Sequence, residues 1–256
     1  MFTKPNLYGL FLLTALLSSC GIFSSDKKLP SGTRISVLSA SSAVDSAEKS
    51  IPTADIPATA NLASWSQTGG NATHNIGNVK TNSNMQKIWQ QSFGKGSSKR
   101  NLLLSSPVIY RQMVFAQDVN GTVSAFSLVD GSKLWKQKLK PNSKFENENG
   151  LNGAGLAVDG NGVYAAAGFG SIFALDAKSG DVLWRNDLNA PLRTAPTICS
   201  DKLLVQTLDN RLLALSTKNG EEVWKYNISA EDTVLAGSSA PACSPEKNFA
   251  VAGFSN

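Results

Sequence analysis

Few side chains in this sequence are of the types that do covalent or metal chemistry, and their scarcity narrows the function. His74 is the one histidine among 256 residues, and there are three cysteines, Cys20, Cys199 and Cys243. A zinc site needs several His or Cys ligands converging on one point, and a Ser/His/Asp triad needs a histidine in the repeated part of the fold. Neither requirement is met. No pair of acids stands out from turn positions, so no acid/base pair is expected. The net charge is +5, and the lysines and arginines are scattered without a run of five. A nucleic-acid surface is therefore not indicated.

The chemistry that remains is at the N-terminus. Lys4 is followed by an apolar run from Leu7 to Leu17 that only Gly9 and Thr14 interrupt, and then by Ser18, Ser19 and Cys20. This is the build of a secretion signal. At about 11 residues the run is too short to span a ~30 Å hydrocarbon core as a helix. Leu17-Ser18-Ser19-Cys20 resembles a bacterial lipobox, which implies a signal peptide over 1–19 and diacylation of the Cys20 thiol. Each buried CH₂ of an acyl chain adds ~0.8 kcal/mol, so several chains anchor a protein durably. Gly21 stands where, by resemblance to enterobacterial sorting rules, an Asp would retain the protein in the inner membrane, so residence at the outer membrane is expected.

With Cys20 lipidated, only Cys199 and Cys243 could pair with each other. The oxidising periplasm leaves a disulfide open to them, while the expectation is two buried small hydrophobes. Residues 20–61 are rich in Ser, Ala, Thr and Pro and have no aromatic after Phe23. They are expected to form a disordered tether with a reach of roughly 35 Å.

The elements that carry these residues follow from an internal repeat. Val123–Trp135, Ile172–Trp184 and Leu212–Trp224 align without a gap. In each, an alanine (Ala125, Ala174, Ala214) precedes a glycine (Gly131, Gly180, Gly220) by six positions and a tryptophan by ten. The register extends back to Pro107, Leu156 and Pro196, each opening another apolar run. Turn pairs such as Asn120-Gly121 and Asn161-Gly162 divide each unit into about four short strands. Four antiparallel strands recurring at this period are a propeller blade, so the predicted class is an all-β propeller. The glycine is expected to supply the positive φ of a tight turn. The alanine is expected where blades approach closely, and the tryptophan as the filler of the wedge between blades. Burying ~150–250 Å² of such a ring is worth at most about 4–6 kcal/mol. Blades are expected at about 102–139, 151–188 and 193–228, with an incomplete one over 237–256.

The pattern Ala-x-Asp-x-x-x-Gly-x-x-x-Trp, complete in Ala174, Asp176, Gly180 and Trp184, resembles the repeat of the pyrroloquinoline-quinone-type propellers. Within them, the opening Trp65–His74 and the stretch Trp89–Gly96 are similar to the BamB family of outer-membrane assembly lipoproteins, above all its alphaproteobacterial form. The likeness covers residues 62–256. It implies an eight-bladed ring, of which about three and a half blades are present, so a C-terminally truncated chain is expected. It also implies that residues 86–93, with Trp89 placed like a fourth-strand tryptophan, form the closing strand of the last blade.

The function implied is that of a non-enzymatic lipoprotein scaffold on the periplasmic face of the outer membrane, bound to the periplasmic domains of BamA and to other assembly subunits, with no cofactor. The loop Asn189–Pro196 resembles the family's contact loop, which puts partner binding on Leu192 and Arg193, with Leu192 exposed or, alternatively, tucked into the blade. The family's acidic contact in the next such loop is not matched, since Ala236-Gly237-Ser238 stands there. Two readings compete. One is a fragment of a periplasmic quinoprotein dehydrogenase, whose adjacent cysteines and acidic calcium cluster residues 62–256 lack. The other is an uncharacterised propeller lipoprotein with a different partner.

Overall fold

The computed structural model describes residues 55–99, 101–142, 153–192, 194–228 and 239–254. The signal segment, Cys20, Arg193 and the stretch 236–238 lie outside the described residues. Fourteen strands are present among those described, with no helix.

The first blade consists of β1 (Val108–Tyr110), β2 (Met113–Gln117), β3 (Thr122–Ser127) and β4 (Lys133–Lys138). The second is β5 (Gly153–Asp159), β6 (Gly162–Ala167), β7 (Ser171–Asp176) and β8 (Val182–Asp187); the third is β9 (Thr197–Cys199), β10 (Lys202–Gln206), β11 (Arg211–Ser216) and β12 (Glu222–Asn227). Each is a four-stranded antiparallel meander with its strands in chain order. A hairpin of β13 (Ala242–Ser244) and β14 (Phe249–Val251) follows. First strands stand side by side, β1 beside β5, β5 beside β9 and β9 beside β13. The expected all-β propeller class is borne out.

The strands exist because their second and third members are apolar almost throughout. β6 is buried along its whole length, and β3, β7 and β11 bury four or more consecutive residues. Such strands read as continuous apolar runs because they are covered on both faces, β7 by the first and third blades and β3 by the second blade and the segment around Trp89 and Phe93. Fourth strands alternate or open to solvent, as in Lys133–Lys138, where only Trp135 is buried.

Each residue of the repeat has a defined contact. Ala125, Ala174 and Ala214 pair in register with the tryptophan of their own fourth strand, Trp135, Trp184 and Trp224, and the ladder bulges immediately after each alanine. The alanine thus makes room for a large ring directly opposite. The turn glycines have φ values of 72°, 79° and 75° at Gly131, Gly180 and Gly220.

A second reason for glycine lies in the neighbouring blade. A Cβ on Gly180 would sit 2.6 Å from the Trp135 ring, and one on Gly220 2.5 Å from Trp184. The same tryptophans donate their indole N–H to the carbonyl three residues before that glycine, Trp135 to Ala177 at 2.8 Å and Trp184 to Thr217 at 3.0 Å. The Asp of the motif caps the turn: Asp176 Oδ1 accepts the N–H groups of Lys178 and Ser179, both at 2.8 Å. These bonds hold the Asp176 carboxyl below its ordinary pKa. Ser127 and Ser216 accept the equivalent N–H in the other blades.

Trp89 makes the same contact to the first blade. Its indole N–H donates to Leu128 at 2.9 Å, and a Cβ on Gly131 would meet its ring at 2.7 Å. The backbone of 86–93 is not in a strand, and the last blade, which it would close in the family, is not among the described sheets. The tether boundary also moves. Ala60 bridges Val79 in parallel, and Asn78 Nδ2 donates to Pro57 O at 3.0 Å, so the chain is hydrogen-bonded before Asn61.

Cys199 and Cys243 form a disulfide, with Cα atoms 6.2 Å apart. This corrects the expectation of two separate buried thiols. First strands of adjacent blades converge, so near-equivalent positions of two repeats fall within the ~4.4–6.8 Å that a disulfide spans.

Candidate functional site: the loop between the second and third blades

The connection from β8 to β9 is built from backbone bonds to both blades. Leu188 donates to Gly170 O at 2.8 Å, and Leu208 donates to Pro191 O at 2.9 Å. Asn189 takes a φ of 56°, a conformation that Asn adopts more readily than most residues. Gly170 faces Ala190, whose carbonyl oxygen would lie 2.7 Å from an added Cβ. These restraints fix the path of the loop and expose Asn189 and Pro191.

The same restraints turn Leu192 inward. It forms an antiparallel bridge with Thr207, is fully buried, and packs with Tyr164, Ile172, Leu188, Leu203, Leu213 and others in the core shared by the two blades. The expectation of an exposed Leu192 is thereby corrected. A leucine with this much apolar surface is worth more inside a wedge between sheets than in water, and the Thr207 bridge supplies the backbone pairing that lets it enter. Arg193 lies outside the described residues. Thr194, Ala195 and Pro196 beyond it are buried again.

Two charged pairs that the sequence had not singled out stand beside this loop, and one of them bonds it. Arg185 Nε donates to Asp187 Oδ1 at 2.6 Å, its terminal nitrogens reach Lys140 O and Ser171 Oγ, and its guanidinium lies 5.1 Å from the Phe173 ring centroid. Arg211 Nε is 2.9 Å from Asp209 Oδ2, and a terminal nitrogen donates to Leu188 O at 3.0 Å. For Asp187, burial pushes the carboxyl pKa up, but hydrogen bonds from Ser171 and Arg185 with the Arg185 charge outweigh it and leave it lowered. Asp209 balances the same way, with Arg211 and Thr207 as donors. Both carboxyl groups are thus held in the charged form. For Arg185/Asp187 a signal was present, because opposite charges two residues apart in β8 fall on one side of an extended chain; Asp209 lies in the turn before β11, where no such period applies.

The arrangement offers fixed charges and a rigid exposed turn, which suits it to recognising a surface. Among the described residues there is no group of three or more His, Cys, Asp or Glu side chains placed to hold a metal ion.

A family model described as outer membrane protein assembly factor BamB matches residues 119–256, more than half of the chain. The chain belongs to this family. BamB of Yersinia pestis is 28% identical over 158 residues, which cover 61% of this chain and 40% of that protein. An uncharacterized protein of Rickettsia conorii is 31% identical over 151 residues, covering 59% of this chain and 34% of its own length. The BamB-family chain thus matches between a third and two fifths of the length of these relatives. Among solved structures, the quinohemoprotein alcohol dehydrogenase of Comamonas testosteroni superposes with a TM-score of 0.54 at 14% identity, over 77% of this chain and 36% of that one. A likeness at that identity speaks for the propeller fold alone.

Proposed function

We propose that this BamB-family chain is a non-enzymatic scaffold of the machinery that inserts β-barrels into the outer membrane, held at the periplasmic face by lipid on Cys20 and bound to the periplasmic domains of BamA. The observation that carries the reading is the family match across the blades, 119–256. The lipobox-like Leu17–Cys20 supports it from a separate part of the chain. With Leu192 in the core, Arg193 is the remaining residue of the pair proposed to bind the partner, and Asn189 and Pro191 are exposed earlier in the same loop. Exposed loops between blades are where a rigid scaffold offers binding residues, and arginine is a frequent anchor at such interfaces, worth ~2 kcal/mol or more when truncated.

The test is co-purification with BamA from membranes, comparing the chain with its Arg193→Glu variant. Retention of BamA by the parent, and its loss from the variant at an unchanged melting temperature, is the expected result. A parent chain that captures no BamA would overturn the function, and a variant that retains BamA would remove this loop from the interface. Anchoring has its own test: Cys20→Ser is expected to move the protein from the membrane to the soluble fraction or leave its signal uncleaved. Recovery of a mature, acylated Cys20→Ser protein would refute the lipid attachment.

A further inference from the structure

The opening stretch Trp65–His74 stands apart from the repeat, and the loop described above makes no use of it. Its backbone crosses the first strands of all four sheets. Trp65 N–H donates to Ile109 O at 2.9 Å, and Ile109 N–H returns a bond to Trp65 O at 2.8 Å. Val158 N–H donates to Ser66 O at 2.8 Å, and Cys243 N–H to Ala72 O at 2.8 Å. Between them, Ile198 N–H donates to Gln67 Oε1 at 2.7 Å.

The four donors are one position of the repeat. Ile109, Val158 and Ile198 each stand sixteen residues before the alanine of their blade, and Cys243 follows Pro241 by two, as Ile198 follows Pro196 and Ile109 follows Pro107.

A first strand pairs with its second strand along one edge only, so its other edge presents N–H groups that need acceptors. The segment supplies one acceptor per sheet. Its own shape is made for the crossing. Gly69 and Gly70 take φ values of 73° and 89°, and Gly70 N–H bonds Gln67 O at 2.9 Å, closing a turn after the third contact. Asn71 Oδ1 then accepts from Thr73 N and Asn75 N, which directs Ala72 to Cys243. Gln67 is buried, and its amide is the only side chain among these acceptors.

We propose that Trp65–Ala72 is a strap that ties the four sheets together across the free edges of their first strands, so that they open as one unit, and that Gln67 is its side-chain link. The strap also occupies those edges against any extended peptide that would add to them, which leaves the loops and outer strands for partners.

Native-state hydrogen exchange of the whole chain tests this. Gln67→Met keeps the volume and removes the acceptor. Exchange at Ile198 N–H is expected to speed up on the order of tenfold. If the strap couples the sheets, Val158 and Cys243 N–H accelerate with it, while the N–H groups of the β10–β11 ladder keep their protection. Gly70→Ala strains the turn and is expected to release Cys243 N–H first. Acceleration confined to Ile198, or an equal loss of protection throughout the third blade, would overturn the proposal. So would an unchanged exchange rate at Cys243 in Gly70→Ala.

Discussion

Leu192→Ala is expected to lower the stability of the folded chain by about 2–5 kcal/mol, the range for deleting a leucine from a core that cannot collapse around the gap. Leu192 sits at zero exposure among the side chains that join the second and third blades, and β-sheets held by backbone ladders have little freedom to close on a cavity. Leu192→Glu is expected to be worse, because a carboxylate would be buried in an apolar cluster. Urea unfolding followed by tryptophan fluorescence measures both. A loss below about 1 kcal/mol for Leu192→Ala would return Leu192 to the surface and reopen it as a partner contact. The same burial has a consequence for interface mapping. A Leu192 variant that loses BamA would report unfolding, so the loop must be probed through Arg193.

Trp135→Ala carries the other large expected effect, about 3–5 kcal/mol. Trp135 is 8% exposed, lies tilted at 45° to Phe115 with ring centroids 5.9 Å apart, and bonds Ala177 O in the next blade. Its removal costs packing in one blade and a hydrogen bond to another. The contrast is Trp224, the same position of the third blade, which is 39% exposed. No turn glycine covers it among the described residues, so Trp224→Ala should cost under about 1 kcal/mol. A thermodynamic cycle isolates the contact between ring and turn. Gly180→Ala should destabilise by about 1–3 kcal/mol, from a strained backbone and from a Cβ driven against the Trp135 ring. In the Trp135→Ala background the steric part vanishes, and the remaining cost should fall to that of the positive φ alone. Purely additive effects would mean that the ring and the turn are not in contact.

The sequence by itself determined the blade. Alternation of apolar runs and turn pairs, a glycine six residues after an alanine and a tryptophan ten after it report contacts between strands adjacent in the chain. Such contacts recur at the same spacing in every repeat and can be read without a fold. The repeat pointed to the pyrroloquinoline-quinone-type propellers, and the narrower family resemblance rested on the opening Trp65–His74 and on Trp89–Gly96.

What tertiary structure alone decided are contacts between units. Whether Leu192 points to solvent depended on a bridge to Thr207 in the next blade. The disulfide depended on how closely β9 and β13 converge, and the second role of Gly180 and Gly220 depended on a ring from the preceding blade, that of Gly131 on Trp89. Gln67 reaches Ile198 across 131 residues of chain, a separation at which no local period operates. Sequence patterning records the burial each residue requires. Which neighbour provides that burial is set by the rotation of one sheet against the next, and that rotation arises only when the wedges between blades are filled.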